Sequence, residues 1–110
     1  MSQSQINDED QWGMVPGWAL RGDYFESGAQ RLLYIILEDK IDSRGYCYPT
    51  VPELAHQAGC SKPTVLRNLR GLEAKGLIRR RHRIAEDGSH LPNEYYVSME
   101  PTIAQKRSVR

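Results

Sequence analysis

Apolar positions along the chain follow two different periods, and the change from one to the other divides it. From Ser27 to about Ile41, Leu32, Leu33, Ile36 and Leu37 recur at helical intervals on one stripe, while Gln30, Arg31, Glu38 and Asp39 fall largely outside it. Ser27 is placed to cap this helix. Gly45 and Pro49 then interrupt the pattern, and the alternating Tyr46 and Tyr48 predict a short strand. Upstream, residues 1–11 contain little to bury and predict a disordered tail. The lead-in from Gln11 to Phe25 carries Trp12, Trp18, Tyr24 and Phe25 among glycines and a proline. It reads as a segment packed on the domain rather than a regular element.

Thr50-Val-Pro-Glu53 has the form of a capping box, in which the threonine hydroxyl and the glutamate carboxylate each satisfy an orphan N–H of a helix start. The helix it opens has room for about two turns before Gly59, a residue suited to the left-handed conformation of a helix end. A third helix begins almost at once, with Ser61 as cap and Pro63 in the first turn. Val65, Leu66, Leu69 and Leu72 form its buried stripe, and it ends at Gly76. At about 100° per residue, that stripe turns Pro63, Thr64, Arg67, Asn68, Arg70 and Gly71 away from the core. After Gly76 the period changes to that of strands. Residues 77–84 and 94–98 bracket the loop Ala85–Asn93, with Asp87-Gly88 inside it, and predict a hairpin.

Length and charge sharpen this picture. A chain of 110 residues is one small domain, burying roughly two-thirds of its surface on folding and leaving no room for a large substrate cavity. No apolar run approaches the roughly 20 residues that cross a bilayer. The polar, acidic start is unlike a secretory signal, so a cytoplasmic, nucleoid-associated protein is expected. The formal net charge of +1 conceals a segregation: residues 1–60 sum to −5, residues 61–83 to +7 and residues 84–110 to −1. The basic block covers the third helix and the first strand of the hairpin.

These residues carry a resemblance. The stretch from Tyr48 to Arg83 resembles the winged helix-turn-helix domains of bacterial, phage and plasmid regulators and replication proteins. It matches their pattern at Thr50, Glu53, Leu54, Ala55, Gly59, Ser61, Thr64, Val65, Arg67, Leu69, Leu72, Glu73, Gly76, Leu77, Ile78 and Arg80. The lead-in Gly17-Trp18 followed by Tyr24 is most similar to phage and plasmid examples. The fold expected is mainly α with a small β-hairpin wing, occupying residues 12–98 between the disordered tail 1–11 and a flexible tail 99–110. The resemblance implies that Ser61, Lys62, Thr64, Arg67 and Asn68 face bases and phosphates and that wing residues reach the adjacent groove or backbone. Side-chain chemistry points the same way: Arg67 suits a guanine edge and Asn68 an adenine edge, while Lys62, Thr64 and Arg70 suit phosphates. In the wing, strand alternation puts Arg79, Arg81 and Arg83 on one side. Because Glu86-Asp87 near the tip would be repelled by phosphate, contact is expected from those arginines and His90.

Other chemistry finds little support. His56, Cys60 and Cys47 lack the spacing of a zinc site, and a cytosolic chain with two cysteines gives no reason to expect a disulfide. No phosphate-cradling glycine motif or nucleophile elbow occurs, and Asp87, Ser89 and His90 on a wing tip have no cleft. Neither enzyme, cofactor, metal nor small-molecule ligand is expected. The partner expected is double-stranded DNA, bound sequence-specifically by a protein that forms a homodimer. The leading expectation is a transcription regulator of bacterial or mobile-element origin. The alternative is the DNA-recognition component of a plasmid or phage replication or partition machinery.

Overall fold

Ser27 opens the first long helix by accepting the Gln30 N–H on its hydroxyl at 3.1 Å, and the helix runs over Gly28–Lys40. The computed structural model describes residues 17–20 and 24–98. The expected tails 1–11 and 99–110, and Trp12 of the lead-in, lie outside the described residues. In chain order the elements are α1 (Gly17–Leu20), α2 (Gly28–Lys40), β1 (Tyr46–Cys47), α3 (Val51–Ala58), α4 (Lys62–Ala74), β2 (Ile78–Ile84) and β3 (His90–Val97). The lead-in, expected to be irregular, thus contains the short helix α1. It buries Ala19 and sets Trp18 into a ring cluster with Tyr24, Phe25 and Tyr34 at centroid distances of 5.1–5.9 Å.

The capping box at Thr50 forms in both directions. The Glu53 N–H reaches the Thr50 hydroxyl at 3.1 Å, and the Thr50 N–H reaches the Glu53 carboxylate at 2.8 Å. Gly59 ends α3 at φ 67°, which lets Cys60 N–H bond back to Ala55 and starts α4 three residues later. This tight corner is what sets α3 and α4 as a pair.

The three strands form one antiparallel sheet in the order β1-β3-β2. Cys47 opposite Tyr95 and Ile78 opposite Val97 turn into the core with Leu33, Tyr34, Leu37, Leu54, Val65, Leu69, Leu72 and Leu77. Tyr46, Arg79, Arg81, Glu94 and Tyr96 alternate onto the outer face. Between Arg81 and Arg83 the pairing slips from Glu94 to Leu91, a bulge that accommodates Pro92, whose nitrogen has no hydrogen to give. β3 therefore begins at His90, and the connection is the five residues Ala85–Ser89 rather than the longer loop expected.

The buried stripe of α2 is not the one its aliphatic residues suggested. Gln30, Leu33, Tyr34, Leu37 and Glu38 are buried, at the i, i+3, i+4, i+7, i+8 spacing of one helical face, while Leu32 is 39% exposed. Gln30 is held because its carbonyl oxygen accepts the Glu26 N–H at 3.0 Å. Its amide lies against Gly71 of α4, where an added methyl would sit 2.4 Å from Nε2. Gly71, expected to face away from the core, is in fact the point where α2 closes on α4. Glu38 has a carboxylate oxygen without a hydrogen-bond partner among the described residues, and burial, helped by the charge of Asp39, raises its pKa.

Gly71→Ala must push the Gln30 amide aside and weaken its contact with the Glu26 N–H, a cost partly offset by about 1 kcal/mol of helix propensity gained. A net loss of unfolding stability of no more than about 2 kcal/mol is therefore expected, read as a shift of the urea midpoint. For Glu38 the sign follows from the raised pKa: the folded state binds the proton more tightly than the unfolded chain, so ionisation destabilises as pH rises. Glu38→Gln should therefore stabilise the protein at neutral pH. The gain should shrink as pH falls toward 4.5, the carboxyl's ordinary value, in unfolding curves recorded across that range.

Candidate nucleic-acid interface

One side of α4 is committed to the core through Val65, Leu69 and Leu72, and that commitment fixes what the other side presents. Pro63, Arg67, Arg70 and Ala74 are exposed on the side facing away. Among the described residues, no ion pair involves Lys62, Arg67 or Arg70, so three cationic groups stand uncompensated along one helix. At its start the Ser61 hydroxyl accepts the Thr64 N–H at 3.3 Å and donates to the Thr64 hydroxyl at 2.9 Å. Ser61 is therefore an exposed cap whose hydroxyl is already engaged, and Thr64 beside it is half-buried. Lys62 sits next to the remaining first-turn N–H groups, where a helix end favours negative charge.

Asn68 requires a correction. It is only 6% exposed, its amide donates to the Thr64 carbonyl at 2.9 Å, and its oxygen accepts from the Ser27 hydroxyl at 3.3 Å. It joins α4 to the start of α2 and has no edge left for an adenine. Leu66 moves in the opposite sense: expected in the core, it is 37% exposed on the flank of α4. Both changes come from a stripe slightly rotated from the purely aliphatic one, with a satisfied amide taking a buried place.

The wing arginines also divide. Arg80, on the inner side, grips the Glu73 carboxylate of α4 through Nε at 3.0 Å and Nη2 at 2.8 Å, tying the wing strand to the helix. Arg79 and Arg81 lie on the outer face of the sheet, away from α4, with Arg81 paired to Glu94 at 2.9 Å. Arg83 stacks over Tyr48 and donates to the Pro92 carbonyl at 2.9 Å. Arg79 and Arg81 therefore do not share the exposed side of α4 that carries Arg67. His90 is exposed at the start of β3, opposite Ile84, which is itself 59% exposed. At the tip, Asp87 accepts the Ser89 N–H and hydroxyl, contacts that lower its pKa and close the turn around Gly88 at φ 87°. The acidic tip has a local structural use.

No group of three metal-ligating side chains occurs among the described residues. Burial pushes the Cys47 thiol up to about 12, which leaves it unreactive, and no described helix is long and apolar enough to cross a membrane.

Residues 27–78 match the family model of a helix-turn-helix domain. Among solved structures, the chain is similar to the N-terminal domain of a DNA-binding protein, with TM-score 0.61 and 20% identity over 98% of this chain and 90% of that one. It is also similar to a protein solved in a Rep–DNA complex, with TM-score 0.61 and 21% identity over 94% and 85% of the two chains. A third likeness is to an MDR initiator, with TM-score 0.60 and 18% identity over 98% and 93%. No curated protein sequence matches. The described residues have the winged helix-turn-helix fold, mostly helical with a small antiparallel sheet, and in that fold the chain is similar to these three structures.

Asn68→Ala is expected to cost about 1–3 kcal/mol of stability by stranding the groups it now satisfies. DNA affinity, measured by fluorescence anisotropy at a temperature where the variant stays folded, should remain at the native level.

Proposed function

We propose that the protein binds duplex DNA sequence-specifically, with α4 in the major groove. We further propose that it serves as the DNA-recognition component of a plasmid or phage replication or partition machinery. The observation that carries the first part is the row of uncompensated cations, Lys62, Arg67 and Arg70, on the exposed side of the second helix of a helix-turn-helix. Arg67, at the centre of that side, is the candidate base reader, while Lys62, Arg70 and the Thr64 hydroxyl serve the phosphates and Ser61 caps the helix that presents them. The wing contributes from His90, exposed at the start of β3. The second part draws support from likenesses that extend over nearly the whole chain to a Rep protein solved on DNA and to an initiator. They favour the replication role over that of a transcription regulator. A homodimer reading two half-sites fits the modest affinity expected of one such module.

Genome-wide selection of bound fragments, followed by anisotropy titrations on the recovered site, tests both parts. Arg67→Ala should weaken binding about 5- to 150-fold and relax preference at one base pair, whereas Lys62→Ala should weaken all sequences alike and reduce the salt slope by about one. Binding that ignores salt, or that survives Arg67→Ala unchanged, would overturn the DNA reading. Bound sites clustered as repeats at an origin or partition locus are expected. A single site at the protein's own promoter would return the regulator in its place.

A further inference from the structure

The outer face of the sheet carries a second concentration of guanidinium groups, separated from α4 by the core, and these groups are layered on tyrosines. Arg79 lies 4.5 Å from the ring centroid of Tyr96, Arg83 4.6 Å from that of Tyr48 and Arg44 5.2 Å from that of Tyr46. The Tyr46 and Tyr96 rings are themselves 5.3 Å apart. Tyr48 joins the layer further through its hydroxyl, which receives Arg44 and donates to Glu94, both at 3.3 Å. Arg44, Tyr46, Arg79, Arg81, Glu94 and Tyr96 line an open depression of about 500 Å³.

The charges on this face are only partly balanced. Asp42 holds Arg44 at 2.8 Å and Glu94 holds Arg81 at 2.9 Å, yet those two arginine side chains remain 64% and 71% exposed. Arg79 has no hydrogen bond or salt bridge from its guanidinium among the described residues, and Arg83 donates only to a backbone carbonyl. Stacking on a ring fixes a guanidinium flat and leaves its N–H edges pointing along the surface, the geometry in which it grips phosphate oxygens. Unpaired bases stack on aromatic rings and on guanidinium planes alike, whereas a duplex keeps its base faces covered. A layered surface of this kind therefore offers more to an unpaired strand than to a duplex.

We propose that the outer face of the sheet binds single-stranded DNA, with phosphates on Arg79 and Arg83 and bases stacked on the tyrosine–arginine layer of Tyr46, Tyr48 and Tyr96. The choice of DNA over RNA rests on the proposed duplex-binding role of α4, since the two faces together fit a junction between paired and unpaired DNA. The strand face itself stands on its own geometry.

The test uses the full chain, a fluorescein-labelled thymidine oligomer of about 20 nucleotides, the uridine oligomer of equal length and the duplex site recovered as above. The thymidine oligomer should bind, and Arg79→Ser with Arg83→Ser should weaken it about tenfold or more while leaving duplex affinity unchanged. Arg67→Ala should do the reverse, so failure of the strand site and failure of the duplex site are read separately. Photocrosslinking of an iodouridine-substituted DNA oligomer to the native protein, which does not depend on how the variants fold, should label Tyr46, Tyr48 or Tyr96. Absence of strand binding, labelling confined to α4, or indifference to the double substitution would overturn the proposal. So would equal displacement by polyglutamate, which has charge without bases, or a preference for the uridine oligomer.

Discussion

The constraint on which the rest depends is that α4 is bound to its neighbours along three sides and free along one. Val65, Leu69 and Leu72 enter the core, Asn68 and Gly71 meet the start of α2, and Glu73 is held by Arg80 from the wing. A helix so surrounded has no rotational freedom left, and Arg67 and Arg70 can point only outward. Burial of the three aliphatic side chains, at about 1.5–3 kcal/mol each, supplies most of that restraint. The exposed Arg80–Glu73 pair contributes less energy than direction.

Gly71 and Gln30 show how the restraint is built. The absence of a Cβ at Gly71 lets the Gln30 amide approach, and Gln30 in turn keeps the Glu26–Ser27 corner in place by accepting the Glu26 N–H. Ser27 then serves two elements at once, capping α2 and donating to Asn68 of α4. Polar residues do here what apolar ones cannot, because a hydrogen bond fixes one orientation whereas apolar contact tolerates sliding.

On the sheet, alternation separates the arginines of the basic block into different tasks. Arg80 faces inward and braces the helix, while Arg79 and Arg81 face outward over tyrosines and Glu94. The eight bases of residues 61–83 consequently do not form one patch: some lie along α4, Arg80 and Arg81 are paired with Glu73 and Glu94, and others are spread over the outer sheet face. Charge counted along a chain becomes a surface only after the strands have assigned each residue a side.

Much of the architecture was legible from local signals. The caps at Ser27, Thr50 and Ser61, the left-handed Gly59 and the change of period after Gly76 all act within a few residues, and all three long helices form where those signals place them. Exposure of Arg67 and Arg70 was legible for the same reason. What needed the tertiary structure was every feature decided by a partner distant in sequence. Asn68 turns inward because the Ser27 hydroxyl, 41 positions away, meets it, and Gly71 is half-buried because Gln30 lies over it. Arg83 stacks because Tyr48 arrives on the neighbouring face, and Leu66 is exposed because polar side chains hold the places that apolar pattern alone would give it. The sequence by itself determined the elements and the helix that carries the cations, since helix ends and periods are short-range properties. Which of those cations remain free was decided by the tertiary structure, because compensation depends on acids, rings and carbonyls that only folding brings within reach.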